Sequence, residues 1–140
     1  MENLWYEEQP DGSLKCHANI EFDIVDFDDG ILDKTWLLSE VTRWASEGPG
    51  ITVMFNPAIT VGENVSVEAR ETDVVVSFTV DRQGRNDPYV ESIKEGFLKS
   101  VGIGIRDSQT VADPVATRGR IVGGRLDQVS LRNHTSPIGV

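Results

Sequence analysis

Cysteine and histidine are scarce in this 140-residue chain, and their scarcity excludes several kinds of site. Cys16 is the single cysteine, so an internal disulfide and a cysteine-rich metal site are both excluded. His17 and His134 are the two histidines, and neither has a second histidine or a cysteine at metal-ligand spacing. A glycine-rich phosphate loop is also missing, since Gly102 and Gly104 fall in a strand pattern rather than at a helix start. We therefore expect no metal and no cofactor.

Long hydrophobic runs and an excess of basic residues are absent as well. No apolar run approaches the roughly 20 residues that span a bilayer, and the acidic start Met1–Glu8 lacks the pattern of a secretory signal. The chain has 13 basic and 23 acidic residues, a formal net charge of −10, which argues against nucleic-acid binding. We expect neither membrane nor nucleic acid as a partner. The lone thiol fits synthesis in a reducing cytoplasm.

The hydrophobic patterns predict an α+β fold: a bent, mainly antiparallel β-sheet or small barrel flanked by two principal helices. Asp33 caps a helix near 34–47, and Asp87-Pro88 starts another near 88–99, in which Gly96 indicates close helix packing. The predicted strands cover 14–27, 51–55, 65–71, 74–80, 101–105, 121–122 and 126–131, with a loop over 107–119. We expect one domain over 14–132, with an N-terminal arm at 1–13 and a C-terminal tail at 133–140.

Helix and strand meet with almost no turn in the stretch Glu95–Arg106. In this stretch Val101, Ile103 and Ile105 alternate with Gly102 and Gly104. Glycines on one strand face leave no side chains there, so another group can approach that backbone closely. A turn from helix into strand is a place where an enzyme could carry a nucleophile. Here the residue that would point into such a site is Gly102, which has no side chain.

Four short stretches carry a resemblance to a known family. They are Ile24-Val-Asp-Phe-Asp-Asp-Gly30, Val53-Met-Phe-Asn-Pro57, Gly96-Phe-Leu-Lys-Ser-Val-Gly-Ile-Gly-Ile105 and Arg125-Leu-Asp-Gln-Val-Ser-Leu131. In this order they resemble the tailed-phage prohead maturation proteases, relatives of the herpesvirus assemblin proteases. That family has an Asp-rich turn, a strand ending in Asn-His, a Leu-Ser-Ile-Gly-Phe-like strand and a final Val-Ser-Leu strand. The resemblance covers about residues 14–132 and implies the same fold.

The chain departs from this family at both catalytic positions. Pro57 stands where the family carries its histidine, and Gly102 stands where it carries the nucleophilic serine. Proline cannot accept a proton, and glycine cannot attack a carbonyl. The resemblance therefore implies a protease fold that has lost its chemistry, and we expect no enzyme activity.

A displaced active site is the alternative. Ser100 lies two residues before Gly102 and, by strand alternation, on the same face. It would be a nucleophile only if His134 or His17 folded beside it; Ser130 is a further serine, and no elbow motif surrounds either serine.

The resemblance implies a non-catalytic virion protein of a tailed phage, made in the host cytoplasm. It would bind and stabilise the capsid as a minor or decoration subunit, or belong to the tail or connector. Its partners would be capsid or other virion proteins and further copies of itself in an oligomer or symmetric array. The alternatives are an active prohead maturation serine protease with relocated catalytic residues and a non-viral binding module.

Six residues are candidates for contacts with such partners. The aromatic pair in the arm either packs on the flank of its own domain or anchors a neighbouring subunit. The basic cluster either offsets nearby acids or meets an acidic patch on another copy. The tail contributes one apolar side chain. These candidates are Trp5, Tyr6, Arg118, Arg120, Arg125 and Ile138.

Overall fold

The structure, a computed structural model, describes residues 3–25, 29–82 and 87–133, with Pro57 described by its backbone only. These residues form two helices and eight strands, which confirms the α+β class. The elements are β1 Leu4–Glu8, β2 Leu14–Glu21, β3 Ile31–Leu32, α1 Lys34–Ser46, β4 Ile51–Val53, β5 Asn56–Ala69, β6 Asp73–Val80, α2 Asp87–Lys94, β7 Ser100–Val111 and β8 Arg120–Arg132.

One mixed sheet contains all eight strands, in the order β1-β2-β6-β5-β4-β8-β3, with β7 paired to β8. The β3–β8 and β4–β8 pairs are parallel and the other pairs are antiparallel, so the expectation of a mainly antiparallel sheet is confirmed. Between the described strands no ladder joins β1 to β7, and the sheet is therefore open rather than a closed barrel.

The side chain of Asn3 bridges the open side of the sheet. Its Nδ2 donates to the carbonyl oxygens of Asn19 at 2.8 Å and Val101 at 2.9 Å, and its Oδ1 accepts from the Val101 amide at 2.8 Å. A side-chain amide thus satisfies both main-chain groups of Val101, as a neighbouring strand would. From residue 4 onward, the segment expected as an arm is an edge strand of the sheet.

Helix α1 forms close to where the sequence predicts it. The Asp33 carboxylate accepts from the Trp36 amide at 3.2 Å, which confirms the cap. Trp36, Leu37, Val41 and Trp44 are buried against the sheet. The Trp36 indole Nε1 also donates to the Gly124 carbonyl at 3.0 Å, which fixes the helix on β8.

Helix α2 is shorter than predicted, because it ends at Lys94 rather than near residue 99. Gly96 has a φ of +80°, and its amide donates to the Ile93 carbonyl at 3.1 Å. A Cβ on Gly96 would have no neighbour within 4 Å, so the expected close packing there is wrong. The glycine provides the left-handed backbone that ends the helix.

Strands β5, β7 and β8 are longer than predicted. The segment 107–111 was expected as loop but continues β7, and the expected break at Gly123-Gly124 lies inside one continuous β8. Register shifts along the β7–β8 pair accommodate these residues, and Gly124 takes a φ of +117°. Strand β5 begins at Asn56 and includes Pro57, which was expected to close a strand.

A single hydrophobic core fills the space between the sheet and the two helices. Phe78, Leu14, Leu37, Leu98 and Leu131 are among its fully buried side chains. In the described residues, neither helix has the length and apolar character needed to cross a membrane.

Candidate functional site

Gly102 lies on the face of β7 that points away from the core. Val101 and Ile103 are fully buried in the core, so the intervening Gly102 belongs to the opposite face together with Ser100. On β8 the residue paired with Gly102 is Ser130, and the residue paired with Ser100 is Arg132. This face therefore gathers two serines and one arginine around a glycine.

The Arg132 guanidinium fills the space directly over Gly102. A Cβ on Gly102 would lie 2.5 Å from Cζ and Nε of Arg132 and 2.8 Å from Nη1, which is closer than real contacts allow. The guanidinium donates from Nε to the Ser130 Oγ at 3.3 Å and from Nη2 to the Ile103 carbonyl at 3.2 Å. The predicted close approach to this backbone is thus observed, and Arg132 is the group that approaches.

Neither Ser100 nor Ser130 is open to solvent; they are 1% and 0% exposed. The group that faces the Ser130 hydroxyl is the Arg132 guanidinium, which donates hydrogen bonds and cannot accept a proton. A hydroxyl in this position is not activated for attack by its arginine neighbour.

His17 lies on β2, where its two ring nitrogens face Ser77 and Glu7. Nδ1 is 2.8 Å from the Ser77 Oγ, and Nε2 is 3.4 Å from a Glu7 carboxylate oxygen. The Trp5 ring stacks on the imidazole with centroids 5.7 Å apart. With both ring nitrogens directed at these neighbours, His17 is not placed to serve Ser100. The second predicted base, His134, lies outside the described residues.

The set Ser77, His17 and Glu7 was missed in the sequence. The three residues lie on β6, β2 and β1, which become neighbours only through the sheet order. Strand alternation alone places His17 and Ser77 on outward faces, and this was the one signal available. Nothing in the sequence shows that β2 pairs with β6.

Ser77, His17 and Glu7 include a hydroxyl, an imidazole and a carboxylate, as a proton relay does, but their surroundings lack the oxyanion hole that acyl transfer needs. In the tautomer that carries its proton on Nε2, the Nδ1 lone pair of His17 can accept the Ser77 proton. However, Ser77 lies between paired strands, opposite His17 on one side and Ser66 on the other. Main-chain N–H groups in such a ladder are used by pairing and do not form an oxyanion hole.

Clefts occur elsewhere on the described surface. One of about 330 Å³ lies near the end of α1, and its lining includes Trp44, Thr52, Asp127 and Gln128. Gln128 Nε2 donates to the Thr52 hydroxyl at 3.3 Å. Another, of about 450 Å³, lies by the turn between β1 and β2. The linings of these two clefts contain neither a histidine nor a cysteine.

The arginine candidates differ in their surroundings. Arg120 Nη1 lies 2.7 Å from the Asp23 carboxylate and 2.9 Å from that of Asp33, and the hydrogen bond from Arg120 lowers the pKa of Asp23. Arg120 thus ties β8 to the start of α1 within the chain. Arg125 lies 3.4 Å from the Glu47 carboxylate in an exposed pair, and Arg118 is exposed.

Both aromatic candidates are accessible on the edge strand β1. Trp5 is 43% exposed and Tyr6 is 39% exposed. Ile138 lies outside the described residues, so its proposed role stays a prediction.

Comparison with known proteins finds a likeness in fold but none in sequence. No protein-family model matches the chain, and no curated protein sequence matches it. The fold is similar to a solved structure, the bacteriophage T4 capsid assembly protease, gp21, with a TM-score of 0.62, 12% sequence identity, and coverage of 94% of this chain and 96% of that chain. The chain therefore has the prohead protease-like fold that its motifs implied.

Proposed function

We propose that this chain is a non-catalytic virion protein of a tailed phage, which binds and stabilises the capsid as a minor or decoration subunit or serves in the tail or connector. The observation that carries the proposal is the Arg132 guanidinium over Gly102. The structural neighbour is a capsid assembly protease of a phage, and this supports a place in particle assembly.

Catalysis at the position implied by the family would need a hydroxyl and a base. Gly102 supplies no hydroxyl, and a side chain there would collide with Arg132. The residue at the family's histidine position is Pro57, which has no proton-accepting group. Because both groups are missing at these positions, we infer that the chain acts through contacts made by its surface.

A structural subunit acts by burying contact area that symmetry repeats around a particle. The exposed aromatics of β1 suit this role, since Tyr and Trp are enriched in interfaces. Arg118 is a further exposed candidate, whereas Arg120 is already paired with acids of its own chain.

Quantitative mass spectrometry of purified mature particles tests the proposal. The expected result is retention of the chain at a copy number fixed by particle symmetry. A chain found in immature heads but absent from mature particles would contradict a structural role. A chain found outside particles altogether would favour a non-viral binding module.

The second candidate is a serine protease with relocated catalytic residues, and the 2.8 Å contact between Ser77 Oγ and His17 Nδ1 favours it. A fluorophosphonate probe followed by peptide mapping distinguishes the two functions. We expect no labelling of the native chain. Labelling that is lost in Ser77→Ala or Ser100→Ala, and kept in the matched control Ser66→Ala, would establish the second candidate.

A further inference from the structure

The outer side of β1 is a strand edge without a main-chain partner among the described residues. Strand β1 pairs with β2 in one continuous register. The amide of Asn19 donates to the Asn3 carbonyl at 3.1 Å, and the amide of Gln9 donates to the Ser13 carbonyl at 2.8 Å. These bonds at the two ends fix the alternation: odd-numbered residues of β1 bond to β2. The main-chain groups of Leu4, Tyr6 and Glu8 therefore point outward, and we name them the β1 edge.

The β1 edge is held extended from both ends. At one end, Asn3 is bonded to Asn19 on β2 and to Val101 on β7. At the other end, the Glu8 carboxylate lies 2.6 Å from Nζ of Lys94 on α2. A strand fixed in this way loses little conformational freedom when another strand pairs with it.

The β1 edge lacks several of the devices that usually protect a sheet edge, although it carries the charged residues Glu7 and Glu8. Its five residues contain no proline, no lysine and no bulge. The side of β7 that faces away from β8 is different, because β7 has three register shifts and Asp107 at a φ of +55°. Such irregularities discourage pairing, so β1 is the more receptive of these two edges.

Charge selects the kind of strand that can pair here. Glu8 is already paired with Lys94, whereas the Glu7 side chain beside His17 is 66% exposed, and the chain as a whole carries a formal net charge of −10. A second copy would bring the same charge to the same place, whereas a basic segment is attracted. The exposed rings of Trp5 and Tyr6 offer contact area to side chains of either face.

We propose that the β1 edge binds an extended basic segment of another protein, which adds to the sheet as a further strand with lysine or arginine near Glu7. This inference rests on the proposed function only in taking the partner to be a protein. Peptide binding to the isolated chain is measured without phage particles, so a negative result would not contradict the proposed role in the virion.

The probe is a fluorescent peptide of sequence Lys-Val-Lys-Val-Lys-Val-Lys, with the glutamate-for-lysine version as the matched control. Anisotropy titrations of the full chain should show saturable binding of the lysine peptide, at least about tenfold tighter than the control. Hydrogen exchange should slow at the amides of Leu4, Tyr6 and Glu8 on binding. The amides of Trp5 and Glu7, which already bond to β2, should not change.

A pair of variants separates strand pairing from general attraction of charge. Tyr6→Pro removes an outward amide without breaking a bond to β2, and should weaken binding of the lysine peptide by about tenfold or more. Tyr6→Phe keeps the amide and should bind like the unmodified chain. Urea denaturation of both variants checks that each is folded.

Any of four results would overturn the inference. One is no binding of the lysine peptide. A second is binding with unchanged exchange at Leu4, Tyr6 and Glu8, and a third is binding with equal strength in folded Tyr6→Pro. The fourth is a dimer of the chain alone in which these amides are already protected, which would assign the β1 edge to a second copy.

Discussion

Replacing Gly102 by alanine should destabilise the chain because Arg132 occupies the space that a Cβ needs. The new carbon would lie 2.5 Å from Cζ and Nε of Arg132, so the guanidinium must move. Moving it strains the hydrogen bonds to Ser130 and Ile103. The cost is therefore set by one side chain, and it can be tested by removing that side chain.

The expected magnitude follows from three contributions. Overpacking a filled site costs about 1–3 kcal/mol, and loss of one charge-assisted hydrogen bond adds about 1.5–3 kcal/mol. Replacing glycine by alanine in a strand returns about 0.5–1 kcal/mol of conformational entropy. The net destabilisation of Gly102→Ala is then about 3 kcal/mol, which corresponds to a fall of about 1.5 M in the urea midpoint at typical m-values.

A double-mutant cycle identifies the cause. Urea unfolding is measured for the unmodified chain, Gly102→Ala, Arg132→Ala and the double variant. In the Arg132→Ala background the cost of Gly102→Ala should fall to about zero or become a small gain. Gly104→Ala is the control, since its Cβ would meet Gln128 at 3.2 Å rather than a guanidinium. An equal cost of Gly102→Ala in both backgrounds, within about 0.5 kcal/mol, would refute the reasoning.

Three further predictions concern other parts of the fold. Asn3→Ala removes the one side-chain hydrogen bond to β2 and the two to β7, and should lower the free energy of unfolding by about 1–3 kcal/mol in urea denaturation. The hydrogen bond from Arg70 lowers the pKa of Asp73 from its usual 3.8, so this pair stabilises the fold above about pH 4 and its contribution is lost as the pH falls further. Asp73→Asn should therefore cost more stability at pH 6 than at pH 3, measured by urea midpoints. Burial raises the pKa of Cys16 to about 12, so a thiol reagent at pH 8 should label the chain only when it unfolds.

The first of these predictions has a matched control, and each of the three has a result that would contradict it. Gln9→Ala removes an exposed hydrogen bond to the Glu7 carbonyl and should change the free energy of unfolding by less than about 0.5 kcal/mol. If Asn3→Ala has no larger effect than this control, the Asn3 hydrogen bonds do not stabilise the fold. A cost of Asp73→Asn that does not vary with pH would show that its charge is not the cause. Native labelling of Cys16 at the rate of a free thiol would show that β2 opens without global unfolding.

The sequence predicts the parts of this fold that depend on local chemistry. Asp33 has the side chain of a helix cap, and the glycines after Glu47 end the pattern, so α1 is found within a residue or two of its predicted limits. Alternating valines predict strands over 65–71 and 74–80, and these segments pair as parts of β5 and β6. The four motif stretches indicated the prohead protease-like fold before any pairing was known.

Patterns fail where a residue's role depends on partners far along the chain. The outer half of β7 is exposed on both faces, so it shows no alternation and reads as a loop, although β8 pairs with it. Nothing in the sequence distinguishes Asn3 from other polar residues, because its partner Val101 is far along the chain and comes close only in the folded sheet. Gly96 was interpreted as a packing site because a pattern of apolar residues continues past it, but the backbone turns there.

The amino-acid sequence by itself determined that positions 57 and 102 carry no reactive side chain, because proline and glycine lack one in any fold. Only the tertiary structure decided which side chain lies over Gly102 and which distant residues are brought together. Arg132 reaches Gly102, and Ser77 reaches His17, through the register of paired strands. Register is set by the hydrophobic core as a whole, and a shift of one residue would turn each of these side chains to the other face.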